Sequence, residues 1–451
     1  MPNYHPYPEY KDSGIDWLGK IPTHWQVTKL RFLFSLGRGL GITKENLLDE
    51  GIPCINYGEI HSKYGFEILP EKHSLKCVAS DYLETGAGAL LSAGDFVFAD
   101  TSEDIEGAGN FSHLNSDTPT FAGYHTVIAR PISNDIPRYM AYLFDSLPYR
   151  YQIRKSVSGI KVFSITHGIL KNCYLWIPQK KEQQQIAAFL DRETAKIDQL
   201  IAKQQQLIEL LKEKRQAVIS HAVTKGLNPN VKMKPSGVEW LGDVPEHWEI
   251  KRIGLLFSES SSRADSDEEQ DFPILRVSIH HGISDKELTE EESDRKLQRS
   301  DDKSLYKVVH ENYLVYNMMR AWQGGFGAAK ISGLVSPAYV ICKPKTSIDS
   351  SFFELILRTA NAITELKRYS KGITDFRLRL YWDEFKDICV PVPPVSEVQL
   401  IIKSIEKISD QYNHLIGKAE EQIELLRERR AALISAAVTG KIDVREVALL
   451  A

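Results

Sequence analysis

Two stretches of this 451-residue chain return later in the same order. Residues 13–35, SGIDWLGKIPTHWQVTKLRFLFS, reappear at 236–258 as SGVEWLGDVPEHWEIKRIGLLFS, with 11 of 23 positions identical. Residues 208–224, IELLKEKRQAVISHAVT, reappear at 423–439 as IELLRERRAALISAAVT, with 12 of 17 identical. The sequence between the copies diverges far more. A repeat this long is no solenoid unit, whose period is roughly 20–50 residues. It implies two homologous halves related by an approximate twofold axis, each with its own variable middle. Such a frame suits a twofold object, and duplex DNA is the first candidate.

Charge argues against that candidate until its distribution is read. The net charge is −4, whereas a nucleic-acid binder is expected to be basic. Residues 264–311 alone hold 14 acids and 7 bases, leaving the rest of the chain at +3. Residues 120–181 hold nine Lys/Arg against Asp135 and Asp145, and residues 312–380 hold ten against four acids. The two basic stretches occupy corresponding places late in each variable middle. A matched pair points to a shared electrostatic task. The five cysteines form no CxxC, which fits a reducing cytosol better than a disulfide or zinc framework. The N-terminus has no signal-peptide pattern and no window resembles a membrane span, so a cytoplasmic protein is expected.

Helical signals are strongest at the ends of the halves. No Gly or Pro interrupts Gln179 to Lys225, and Pro178 and Gly226 bracket the run. Ile186, Leu190, Ile197, Ile201, Ile208, Leu211, Val218 and Ala222 recur at helical spacing. The second copy, between Pro394 and Gly440, carries Ile401, Ile405, Ile408, Leu415, Ile416, Ile423, Leu426 and Leu433, with Gly417 as a candidate irregularity. Neither stripe can be buried on its own half alone, so the two helices are expected to pair antiparallel. The glutamine runs 183–185 and 204–206 read as exposed surface, although Gln204 shares a heptad position with Ile197 and Leu211.

The middles, about 36–177 and 259–392, read as mixed α/β. Strands are predicted at Gly51–Tyr57, Asp95–Ala99 and Tyr124–Ala129, matched by Phe272–Ile279, Asn312–Asn317 and Ala338–Lys343. Helices are predicted at Pro137–Arg154 and Ser351–Lys371. The fold class is therefore α+β: two mixed α/β domains in pseudo-twofold repeat, separated by two long helices packed as an antiparallel coiled coil.

Catalytic motifs are missing. There is no G-x-x-x-x-G-K-[ST] phosphate loop. Gly37-Arg38-Gly39-Leu40-Gly41 lacks the spacing and βαβ setting of a dinucleotide fingerprint. No Asn-Pro-Pro-aromatic tetrad is present, and Asn228-Pro229-Asn230 reads as a turn. His280-His281 and the acids near them have no ligand spacing, so no metal is expected. His24 and His247, in the repeated HW pairs, read as packing or hydrogen bonding rather than catalysis.

The repeated SGIDWLGKIPTHW and SGVEWLGDVPEHW, with the helix ends ELLKEKRQAVISHAVTKG and ELLRERRAALISAAVTGK, resemble the specificity subunits of type I restriction–modification systems. The middles, with GDFVFADTSED and AGYHTVIARP in one and NMMRAWQGGFG and GLVSPAYVICKP in the other, are similar to that family's target-recognition domains. The resemblance covers nearly the whole chain. It implies residues 1–177 and 227–392 as recognition domains, with 178–226 as the first spacer helix and 393–451 as the second long helix and C-terminal tail. It implies a non-catalytic subunit whose domains each read half of a split DNA site. The helices would fix the gap and seat two methyltransferase subunits, which use S-adenosylmethionine to methylate adenine N6. A restriction subunit would add translocation and cleavage dependent on ATP and Mg. A stand-alone modifying or cleaving enzyme and a protein-binding coiled-coil scaffold are the alternatives.

Phosphate contacts supply affinity and base edges supply discrimination. The DNA-binding candidates of the first domain are Arg154, Lys155, Ser158 and Lys161, around Gly159. In the second they are Arg368, Lys371, Arg377 and Arg379, around Gly372. Arg320 and Gln323, before Gly324-Gly325, suit guanine O6/N7 and adenine N6/N7. Trp322 between them reads equally as a core anchor or a DNA contact. The matching stretch of the first domain, Thr101-Ser102-Glu103-Asp104, has no cation, though a carboxylate can accept from cytosine N4.

Overall fold

The computed structural model describes residues 4–133, 137–157, 162–279, 282–284, 305–372 and 378–445. The chain forms two compact units, residues 1–205 with 421–451, and residues 206–420. Each long helix contributes its two ends to different units.

The first unit is built on a sheet whose strands lie in the order Phe34–Arg38, Thr126–Pro131, Phe96–Ala99, Phe111–Leu114 and Phe66–Ile68. All neighbours are antiparallel except the last pair. Alternation along Phe96–Ala99 explains its position: Phe96 and Phe98 enter one core, Val97 and Ala99 another. With both faces covered, the whole strand is apolar. The second unit repeats the plan with Phe257–Ser260, Tyr339–Pro344, Leu314–Asn317 and Phe326–Ala328, all antiparallel. Leu314 and Tyr316 face its main core and Val315 the smaller one. Thus the predicted strands at 95–99, 124–129, 312–317 and 338–343 form, shifted by a residue or two at their ends.

Each predicted mid-domain helix is two helices. Pro137–Asp145 and Leu147–Ser156 are separated by Ser146, an extended N-cap whose Oγ accepts from Tyr149 N at 3.4 Å. Ser350–Leu357 and Ala360–Tyr369 are separated likewise by Arg358 and Thr359, with Thr359 Oγ1 accepting from Ala362 N at 3.4 Å. The hydroxyls compete with the helical ladder for amide donors, and the chain turns there.

The long helices run over Lys180–Lys225 and Val395–Val438. In each unit the start of one lies beside the end of the other, the expected antiparallel arrangement. Ile186, Leu190 and Ile197 share a core with Leu433, Ile434 and Ala437 in the first unit. Ala222 and Val223 share one with Val398, Ile401 and Ile405 in the second. Arg430 Nε donates to Asp198 Oδ1 at 3.0 Å, and Arg215 pairs with Asn413. Gly417 does not interrupt its helix. Two surface readings change. Gln183 is buried, its Nε2 donating to Pro178 O at 2.9 Å, while Leu415 is 48% exposed and Ile416 takes the buried place.

The repeated HW pairs tie these helices to the domains. His24 Nε2 lies 2.7 Å and Trp25 Nε1 3.1 Å from the carboxylate of Glu182, in the first helical turn. His247 and Trp248 meet Glu397 at 2.7 and 3.0 Å. A carboxylate there also faces the positive end of the helix dipole. The same tryptophans receive the end of the opposite helix. A Cβ on Gly440, at φ +69°, would fall 2.4 Å from Pro22 Cδ, and one on Gly226, at φ +78°, 3.4 Å from Trp248. Only glycine adopts that left-handed cap cheaply in so close a space. The duplicated motifs are therefore the two halves of one joint, built twice. Among the described residues, no helix is long and apolar enough to cross a membrane.

Candidate nucleic-acid interface

In the second unit the strand Leu314–Asn317 leads into residues 318–325, where a 3-10 turn over Ala321–Gln323 ends at Gly324, φ +84°. Arg320 Nη1 donates to Gln323 Oε1 at 2.9 Å, so the two candidate readers are held together. Trp322 is half-buried, its Nε1 donates to Met319 O at 3.0 Å, and Lys367 Nζ sits 5.6 Å from its ring centroid. It belongs to this loop and not to the core.

The second candidate loop of this unit is pinned at its base. Lys371 N donates to Arg379 O and Arg379 N to Lys371 O, each at 2.9 Å. Leu380 N then donates to Met318 O at 2.9 Å. These bonds bring the bases of the loops at 318–325 and 371–379 to one edge, which the sequence alone does not reveal. Arg379 is exposed. Lys371 pairs with Glu384, a bond that raises its pKa and keeps it charged. Arg368 pairs with Glu365 at 2.9 Å and Glu239 at 3.3 Å. Arg377 lies outside the described residues.

The first unit keeps the last of these backbone bonds and differs before it, since its strand pairs with Thr101–Ser102 where Arg379 pairs with Lys371. Thr101–Ser102 pairs with Phe163–Ser164, and Ile165 N donates to Asp100 O at 2.7 Å, the counterpart of Leu380 and Met318. Glu103 and Asp104 are exposed. Behind them, His61 Nδ1 lies 2.9 Å from Asn110 Nδ2, which leaves its Nε2–H to donate to Thr101 O at 2.8 Å. Arg154 is half-buried, donates to Glu106 O, and keeps a buried Nε without a partner among the described residues; burial lowers its pKa. Lys155 is exposed on the rim of a cleft of about 470 Å³ that it shares with Trp17, Thr166 and Asn172. Ser158 and Lys161 lie outside the described residues.

A second cleft of about 470 Å³ opens beside this loop, with Arg38, Asp100, His125 and His167 in its walls. The sequence alone marks none of the four as a binding residue, because they come from three strand ends and a helix start. Among the described residues no group of His, Cys, Asp and Glu is placed to hold a metal ion; His280-His281 lie outside them.

Residues 22–210 match the family model described as the type I restriction modification DNA specificity domain. The chain is 24% identical over 444 residues to a putative type I restriction enzyme MjaX specificity subunit of Methanocaldococcus jannaschii, covering 95% of this chain and 96% of that one. It is 22% identical over 450 residues to the type I restriction enzyme EcoKI specificity subunit of Escherichia coli, covering 95% and 91%. Its fold is similar to a chain solved in work on complex assembly and conformational transition of the type I R-M system. That likeness has a TM-score of 0.62 at 14% identity and covers 94% of this chain and 99% of the other.

Proposed function

Because the chain belongs to the specificity subunits of type I restriction–modification systems, we propose that its two units each read one half of an asymmetric, bipartite duplex site. The reading is carried by one observation: matched loops hang from matched backbone hydrogen bonds, Ile165 to Asp100 and Leu380 to Met318, yet bear unlike side chains. A shared frame with different contact chemistry is what two different half-sites require. In the second unit Arg320, Gln323, Lys371 and Arg379 supply phosphate contacts and the base-edge chemistry of Arg and Gln. In the first unit Lys155 supplies backbone attraction.

The chain performs no bond chemistry of its own in this reading. It seats two methyltransferase subunits along its long helices, and these use S-adenosylmethionine to methylate adenine N6. Restriction subunits bring ATP and Mg for translocation and cleavage. Selection from a library of random duplexes, with the chain alone and with its methyltransferase partner, tests the proposal. A split consensus should emerge in at least the second condition. No sequence-selective retention in either would overturn it, and strand cleavage or methyl transfer by the chain alone would favour a stand-alone enzyme.

A further inference from the structure

The two units differ most sharply where strand register allows residues to be compared one by one. In the first unit Phe34 pairs with Pro131 and Arg38 with Val127; in the second Phe257 pairs with Pro344. Arg38 therefore corresponds to Ser261. Ala99 pairs with Thr126 and Asn317 with Tyr339, so Asp100 corresponds to Met318 and His125 to Ala338. His167 opens the short helix His167–Asn172, as Trp382 opens Trp382–Phe385. The polar wall of the second cleft thus stands where the other unit has Ser, Met, Ala and Trp. It is no part of the common frame.

Its geometry is that of a site. Asp100 and His125 close the sheet end with a backbone bond of 3.1 Å and a side-chain contact of 3.2 Å, Nδ1 to Oδ1. His125 holds φ at +55°, a left-handed conformation uncommon for a residue with a side chain. The strain is not relieved by packing, since its side chain remains 55% exposed. Sparsely populated backbone conformations concentrate where side chains must be aimed. His167 Nε2, also in the cleft wall, is buried with no hydrogen-bond partner among the described residues. The floor is backbone: a Cβ on Gly39 would lie 1.9 Å from Gly123 O, and one on Gly123 2.0 Å from Asn56 Oδ1.

Resting on the reading proposed above, we infer that this cleft is the specificity determinant of the first unit and takes the major-groove edge of one G·C pair. Asp100 accepts from the cytosine N4 amine, while Arg38 donates to guanine O6 and N7, the pairings those side chains favour. His125 is a positioning residue: its Nδ1–H holds the Asp100 carboxylate toward the cleft.

The test is selection of duplexes randomised in both half-sites, using the chain assembled with its methyltransferase subunits. Asp100→Ala should lower discrimination at one G·C pair of one half-site by about ten- to a hundredfold, with the other half-site unchanged. Arg38→Ala, at an exposed position, should relax the same pair and keeps the test available if the Asp100 variant folds poorly. His125→Ala should weaken preference at that pair without moving it. Retention of the native preference in a folded Arg38 or Asp100 variant would overturn the inference, as would relaxation at an A·T pair. If the unaltered assembly selected no bipartite site, the underlying reading would fail instead.

Discussion

His113 sits on the strand Phe111–Leu114 with both ring nitrogens buried and without partners among the described residues, its ring 4.9 Å from that of Phe96. Burial, followed by the nearby Arg138 guanidinium, pushes its pKa down to about 4. The ring is therefore neutral in the native core but takes up a proton near pH 6.5 once the chain unfolds. The unfolded state then binds more protons between those values, so stability is complete above about pH 6.5 and falls as pH drops toward 4. Between pH 7 and pH 5 the loss from this one ring is about 2 kcal/mol. Urea unfolding of the native chain and of His113→Leu at both pH values checks it: the native chain should lose about that much more. Equal losses would place the acid sensitivity elsewhere.

At the scale of elements, the long helices leave apolar side chains in water at equivalent positions of the repeat. Leu200 and Leu425, in the first unit, are 47% and 49% exposed; Leu210 and Leu415, in the second, are 54% and 48%. In the proposed function, one pair per unit would seat one methyltransferase subunit per unit. Changing Leu200 and Leu425 to Glu should leave folding stability within about 0.5 kcal/mol, as for other surface substitutions, yet remove one of two bound copies by native mass spectrometry. A four-site variant that still carried two copies would dismiss these leucines as the seat. The helices and main strands were legible in the sequence because their apolar spacing is regular over many residues. Ser146 and Thr359 were read through as helix because a side-chain cap is a local competition that periodicity does not register. The basic loops were legible as charge, but the meeting of residues 318 and 380 depends on a backbone pairing across some 60 positions. Asp100 and His125 lie inside the stretches GDFVFADTSED and AGYHTVIARP, yet nothing in those strings sets them apart as site residues; the left-handed turn at His125 does.

For the molecule as a whole, the links that matter are the two long helices, each of which, among the described residues, passes from one unit into the other. They are 46 and 44 residues long, and the second continues through Gly417 without a break. At 1.5 Å per residue each is about 65–70 Å long. In the proposed function, the gap between half-sites follows from that length and the half-sites themselves do not. Inserting four helix-forming residues after Gln204 and another four after Ala419, its equivalent in the repeat, adds about one turn, or 6 Å, to each helix. With one base pair per 3.4 Å of duplex, the preferred gap should widen by one or two base pairs. The joints at Glu182 and Glu397 lie far along the chain from both insertions, so each unit should keep its own half-site. Duplex selection with libraries of varied spacer length reads both quantities at once. A widened gap with unchanged half-sites is expected. An unchanged gap would mean that spacing is set by the bound methyltransferase subunits or by bending of the DNA, and not by helix length.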